Sequence, residues 1–189
     1  MTVVATVAGT PVPVDDVDAR EAALRASPQT AALPRPGTSE GRQLRRWLTQ
    51  LLVTERVVAA EAEALGVTVT ASTPTEEQLL PDLTARLEIG SIAAGALVDP
   101  LARAVFAHVT GDVDVDVDAE TVTGYRRRNP DRFAGQAEPE VAIAAMLRGA
   151  ARRRAFRLWL DQRRAALVEL APGYEHPGDP RQPDNIHRH

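Results

Sequence analysis

Two stretches of the chain, Glu40 to Leu65 and Glu138 to about Leu170, place apolar residues at three- and four-residue intervals. Any fold this sequence adopts must therefore accommodate two long amphipathic helices. In the first, Leu44, Trp47, Leu48, Leu51, Leu52, Glu55, Val58, Ala59 and Ala62 share a stripe, and Gly66 supplies the C′ residue that ends it. In the second, the stripe predicted to face inward is Val141, Ala144, Leu147, Ala151, Ala155, Leu158, Gln162 and Ala165, with Arg on the other faces. The Leu48 and Leu158 faces are expected to pack against each other. Aromatic residues are only 4% of 189 residues, so the core must be built from Ala, Val and Leu, a palette that suits helices.

The remaining segments are shorter. "VVATVAGTPVPV" alternates Val3, Ala5 and Val7, turns at Gly9 and Thr10 and resumes at Val12 and Val14, the pattern of a small hairpin. Asp15 or Asp16 can cap a helix running to about Ala26. Pro28, Pro34, Pro36, Gly37 and Gly41 predict a loop. Thr73 is expected to cap a helix with Pro74 in its first turn. Asp99 should cap a second one to Val109, with Leu101, Ala104, Val105 and His108 on its apolar face. The Val/Asp alternation of residues 112–118 reads as a strand with Val inward, followed by an Asp118-capped helix ending near Asn129. Pro172, Pro177, Pro180 and Pro183 exclude regular structure from the tail, which is expected to pack as an extended strap. The predicted organisation is one mainly α domain over residues 1–171 with a small β element, and a Pro/His-rich tail over 172–189.

The residue inventory excludes several chemistries. With no cysteine there are no disulfides, thiolate nucleophiles or cysteine zinc sites. All 22 basic residues are Arg, so Schiff-base lysines and the lysine of a phosphate-binding loop are absent as well. A net charge of -4 and a pI of about 5.6 argue against a nucleic-acid partner. No run of apolar residues approaches the length of a membrane span, and "MTVVATVAGTPVPVDD" has no signal-peptide pattern, which predicts a cytoplasmic protein with no membrane partner.

Three segments, in order, resemble the SurA and PrsA family of foldases. "VVATVAGTPVPVDDVDARE" is similar to the hairpin that precedes the family's first helix, with Ala8 where the family usually has Asn. "LRRWLTQLLVTERVVAAEAEALGVTVT" resembles its second helix. "VDVDAETVTGYRRRNPDRF" is similar to the segment before the parvulin isomerase domain, matched by Val117, Glu120, Val122, Tyr125, Asn129 and Phe133. Where the family inserts that domain, only Ala134 to Ala137 separate Phe133 from Glu138. The resemblance therefore implies a SurA-like chaperone core without prolyl isomerase activity, and a short strand over Leu167 to Leu170. It would offer an apolar groove between the long helices to a partner polypeptide. The tail "GYEHPGDPRQPDNIHRH" resembles small actinobacterial proteins encoded beside aromatic polyketide enzymes. That likeness implies a rival class, an enzyme or binding protein whose groove, roofed by the tail, holds an aromatic small molecule. The transacylase label sometimes given to such proteins fails on chemistry, because "IGSIAAG" does not have the spacing of a G-x-S-x-G nucleophile elbow.

The candidate functional residues follow from these readings. Trp47, Tyr125 and Trp159 are the candidate substrate contacts, with core packing as the competing role for the two Trp residues. Tyr174 and His176 are candidate acid/base groups if the tail folds over a pocket. No cofactor is required, but His176, His187 and His189 could ligate zinc or another divalent metal, since His187 and His189 point to one side of an extended chain. Asp112, Asp114, Asp116 and Asp118 fail as a calcium loop, because neither register puts Gly and Glu where such a loop needs them. Arg148, Arg152, Arg153, Arg154, Arg157, Arg163 and Arg164 could bind phosphate on an acyl carrier protein partner, although Arg spread around a helix usually serves local ion pairs. His108 reads as a hydrogen-bonded structural residue.

Overall fold

A computed structural model describes residues 2–113 and 117–179. Strands β1 (Val3–Val7) and β2 (Thr10–Pro13) form the expected antiparallel hairpin. Its turn residues are Ala8 and Gly9, one position earlier than the sequence pattern suggests, with φ of 49° and 77°. Left-handed conformations at both positions give the turn the twist of the strands it joins. Pairing jumps from Val3 with Pro13 to Ala5 with Val12, so Val4 is an extra residue in β1. This bulge buries Val4 and Ala5 together, where strict alternation would bury only one of them. Helix α1 (Val14–Arg25) follows with no linker, so its N-cap is Pro13 and neither Asp15 nor Asp16 caps it. Both aspartates instead lie inside the first turn, where they complement the helix dipole.

The predicted loop contains a 3-10 turn over Pro28–Ala32. Helix α2 (Ser39–Leu65) then starts at Thr38, whose side chain accepts from the Gly41 N–H at 3.1 Å. A Cβ on Gly41 would collide with the Arg35 carbonyl oxygen, so the loop can fold back on the helix only over glycine. Gly66, at φ 67°, ends α2 as expected. Arg45 of α2 bridges Asp18 and Glu21 of α1, at 2.6 and 2.8 Å. Burial raises the proton affinity of Glu21, but its hydrogen bonds and charge contacts with Arg25 and Arg45 outweigh it and hold the carboxyl below its ordinary range.

Short helices α3 (Glu76–Leu79), α4 (Leu83–Ile89) and α5 (Ser91–Ala96) lead to α6 (Pro100–Val109). Thr75 caps α3 in a reciprocal capping box with Gln78, displacing the predicted Thr73. Thr73 instead accepts from the Thr70 N–H in the preceding turn. Asp99 caps α6 as predicted, but the buried face is Ala102, Ala104, Val105 and Phe106, and His108 is exposed. Asp118 caps α7 (Ala119–Arg128) by accepting from Thr121 N–H at 2.6 Å. Of the expected Val/Asp strand, residues 114–116 lie outside the described residues, and the flanking Asp112, Val113, Val117 and Asp118 are not in a strand.

Helix α8 (Pro139–Leu167) runs into strand β3 (Val168–Leu170), which pairs antiparallel with β1 through Ala5–Leu170 and Val7–Val168. The sheet order is β2-β1-β3. The inward face of α8 differs from the predicted stripe: Ile143, Arg153, Phe156 and Leu160 are buried, while Leu158 is 50% and Val141 63% exposed. Gln162 and Ala165 are exposed as well. The stripe fails because the true face carries Arg153, which apolar periodicity assigns to solvent. That guanidinium reaches Glu88 Oε2 from Nε and Nη2 (3.0 and 2.8 Å) and the Leu79 carbonyl from Nη1 (3.3 Å). Phe156 anchors the face, 4.9 Å from the Phe106 ring and 5.6 Å from Trp159. The two long helices do meet, but through Arg163 with Glu61 at 2.6 Å and Arg164 with Gln50 and Thr54. Among the described residues no helix is long and apolar enough to cross a membrane.

Candidate functional site

The site begins with a polar cluster inside the most apolar stretch of α2. Thr49 and Thr54 are fully buried and donate their hydroxyls to the Arg45 and Gln50 carbonyls, at 2.9 and 2.8 Å. Such back-bonding satisfies a hydroxyl within its own helix. Gln50, 1% exposed, has an amide that must find partners elsewhere. Its Nε2 donates to the Tyr174 carbonyl at 2.6 Å, and its Oε1 accepts from Arg164 Nη2. The tail is thereby tied to the body. Ala171 N–H extends the sheet by donating to the Val4 carbonyl (2.9 Å), Arg46 Nε donates to the Gly173 carbonyl (3.4 Å), and Tyr174 packs against the core. Residues 171–174 are thus bound to the body, while turns at 172–173 and 177–178 break the extended path expected of the tail.

Beneath the strap lies a cavity of about 340 Å³. Gln50 and Thr54 of α2 form one side, and residues 89–93 at the α4–α5 junction form another. Arg157, Leu160, Asp161 and Arg164 of α8 close it, and His176 contributes from the tail. Gly90, at φ 87°, makes the reversal between α4 and α5 that presents Ser91 to the cavity. Arg164 Nη1 donates to the Gln50 carbonyl at 3.2 Å and to Thr54 Oγ1. Among the described residues no carboxylate lies within ion-pair distance of it. Burial lowers the proton affinity of this guanidinium and Asp161 partly opposes the shift, yet an arginine stays charged under any physiological condition.

His176 lies exposed at the edge of the cavity, where its Nδ1 accepts the Gly178 N–H at 3.0 Å. Partial burial lowers its pKa, the Arg164 charge lowers it further, and Asp179 pulls the other way. The neutral ring therefore carries its proton on Nε2. This decides a chemical question, because Ser91, His176 and Asp161 share one cavity. A serine triad needs a His that donates from Nδ1 to the acid and takes the serine proton on Nε2. Here Nδ1 is an acceptor and Nε2 is already protonated. Ser91 Oγ, moreover, accepts from Trp47 Nε1 at 3.2 Å. Among the described residues no hydrogen bond links Ser91, His176 and Asp161 to one another.

The other sequence-predicted residues are dispersed. Trp47 supports the cavity from behind Ser91, and Trp159 stacks on Phe156 at 5.6 Å outside the cavity wall. Tyr174 borders a separate surface hollow with Arg42, Arg45, Arg46 and Gly173, so it shares no cavity with His176. Tyr125 belongs to a third place, a cleft of about 540 Å³ between α4, α7 and α8. There its ring meets Phe133 edge-on at 6.2 Å and its hydroxyl accepts from Arg132 at 2.8 Å. His187 and His189 lie outside the described residues, and among the described residues no group of three metal-ligating side chains assembles around His176. Of the candidate phosphate-binding arginines, Arg153 and Arg163 are committed to Glu88 and Glu61, and Arg152 to Thr110 Oγ1, while Arg157 and Arg164 reach the cavity. Sequence reasoning missed Gln50 and Thr54; the signal that could have found them is a polar pair interrupting "WLTQLLVTERVV" on faces the helix also buries.

A family model described as a family of unknown function (DUF7158) matches residues 3–40, the hairpin, α1 and the approach to α2. No curated protein and no solved structure matches the chain.

Proposed function

We propose that the chain is a non-catalytic binding protein that holds a small molecule in the cavity between α2 and α8, beneath the tail. The Gln50–Tyr174 hydrogen bond of 2.6 Å carries this reading. A buried amide committed to the tail backbone ties the tail to α2, and His176 of that tail joins the wall of a half-open hollow between α2 and α8. At about 340 Å³ the cavity falls at the small end of the range for ligand sites, about 300 to 1,000 Å³. The SurA-like resemblance enters as the scaffold, and the tail's likeness to proteins encoded beside aromatic polyketide enzymes makes aromatic compounds the first class to try.

A second reading has its own observation. The Tyr125–Phe133 cleft, which also has Met146 and Leu147 in its wall, suits apolar side chains of an extended polypeptide, and would support a chaperone-like role without prolyl isomerase activity. One experiment separates the two. In a two-dimensional NMR titration with small aromatic and aliphatic fragments of mixed charge, the pocket reading expects shifts at Gln50, residues 89–93 and His176. Those shifts should disappear in a chain ending at Pro172. Fragment shifts confined to Tyr125 and Phe133, together with suppression of reduced-lysozyme aggregation, would transfer the function to the cleft.

A further inference from the structure

Resting on the pocket reading above, we propose that the ligand is a small carboxylic acid, its carboxylate held by Arg157 and Arg164 and its apolar body lying against Ile89, Ile92 and Leu160. Both guanidiniums keep N–H donors that no described residue takes up. A guanidinium carries N–H groups on all three nitrogens. Arg157 is exposed and gives Nη1 to the Glu88 carbonyl at 3.3 Å; among the described residues its Nε and Nη2, the edge that grips a carboxylate side by side, face solvent and are free to exchange water for an anion. On Arg164, Nε–H and the second hydrogen of Nη2 likewise have no partner among the described residues. Two smaller donors face the same cavity. His176 has its proton on Nε2, because Nδ1 accepts from Gly178, and Ser91 keeps its own O–H while accepting from Trp47.

Charge and shape select among anions. Two guanidiniums against the single carboxylate of Asp161 leave one positive charge in the lining, which matches a monoanion. A phosphate monoester dianion would overfill that charge and meet Asp161. Ile92 is half-buried and turns apolar surface to the cavity in front of the buried Ile89 and Leu160, so a ligand with a hydrocarbon part beyond its carboxylate fits there. The cations gain as well. Arg164 is desolvated without an anionic partner at contact distance, and a buried charge is stabilised when one arrives.

The test titrates the full chain with benzoate and hexanoate against benzamide and hexanamide, neutral molecules of the same shape, with inorganic phosphate as a further probe. The acids should shift residues 89–93 and Leu160 and bind at least about tenfold more tightly than their amides. Arg157→Gln should weaken benzoate by about tenfold or more with melting unchanged, and Arg148→Gln, on the exposed side of α8, should leave it unaltered. Arg164→Gln should weaken benzoate likewise but also lower the melting temperature, because it strands the buried Gln50 Oε1, and Arg164→Lys should fold and retain part of the affinity. Benzamide binding in the pocket as tightly as benzoate would keep the pocket and overturn the acid. Phosphate binding more tightly than benzoate, or benzoate binding indifferent to Arg157→Gln, would overturn it too. Benzoate shifts confined to other parts of the molecule, or no binding by any probe, would remove the pocket reading itself.

Discussion

Helices α2 and α8 have nearly the same length, 27 and 29 residues, and meet in the middle of the molecule, yet they are stabilised by different means. Helix α2 lies among α1, β1, α5, α6 and α8, and buries Leu48, Leu52, Val53, Val57 and Val58 on more than one face. Helix α8 buries a narrow line in which Ile143, Phe156 and Leu160 share the interior with Arg153. The first is held by burial of hydrocarbon, the second by a few apolar anchors between cations that satisfy carboxylates and carbonyls. Hydrophobic periodicity therefore reads α2 in part, finding Leu48, Leu51, Leu52, Val58 and Ala62 but missing the buried Val53 and Val57 and including the exposed Ala59, and it misreads α8 because a buried, partnered arginine has the same letter as a solvated one.

The largest effect should come from the anchors. Phe156→Ala, at a fully buried site in contact with Phe106 and Trp159, should cost about 3–5 kcal/mol in urea denaturation, and Leu48→Ala in α2 about 2–5 kcal/mol. If Phe156 proved cheap and Leu158 expensive, the observed face of α8 would be wrong. Next comes the cation. Arg153→Met keeps most of the side-chain volume but strands Glu88 and the Leu79 carbonyl, and should cost about 2–3 kcal/mol. This is below the usual value for a buried pair because Glu88 is 41% exposed and water can take up its charge. A neutral or stabilising result would show that α8 needs no polar face and would erase the contrast with α2. Leu158→Ala should stay within about 0.5 kcal/mol, since half of that side chain is already in water.

The smallest effect concerns the tail that α2 and α8 hold between them. His176 binds a proton more weakly in place than when free, so the detached tail takes up more protons in acid. Attachment should be unchanged above its ordinary pKa of 6.5 and weaken as pH falls through that value. The groups that set the balance are Arg164 and Asp179, with Arg157 and Asp161 across the cavity. Because Nδ1 accepts the Gly178 N–H, protonation breaks that bond, and the Gly178 amide resonance should report the transition. A Gly178 resonance that is flat from pH 8 to about pH 5 would show that His176 does not monitor the tail.

What was legible in the sequence was local. Gly66, Asp99 and Asp118 act where they were placed because an αL terminus or an N-cap is decided within one turn of helix. Thr73 and Asp15 or Asp16 failed for the opposite reason. Equivalent caps stood within two residues, and the choice went to a capping box at Thr75 and to a strand that enters α1 directly. The site was visible only in fragments. Arg157, Arg164 and His176 each stood out, whereas Ser91 was set aside with the failed elbow, and their convergence depends on the rotation of α8 and the path of the tail, which are long-range outcomes. Gln50 was overlooked because a single amide inside an apolar run carries no periodicity of its own.

The pairing of β1 with β3 has a consequence for the order in which the protein is made. Ala5 is made 165 residues before its partner Leu170. At about 5–20 residues per second the hairpin waits on the order of ten seconds or more with its outer edge unsealed. Closing so long a loop also raises the contact order and slows the final step. The bulged form of β1 shields that edge in the interval, since a bulge twists a strand out of the flat geometry that stray chains need for docking. The first strand of the sheet is thus fastened to the last only after the helical body between them has been made.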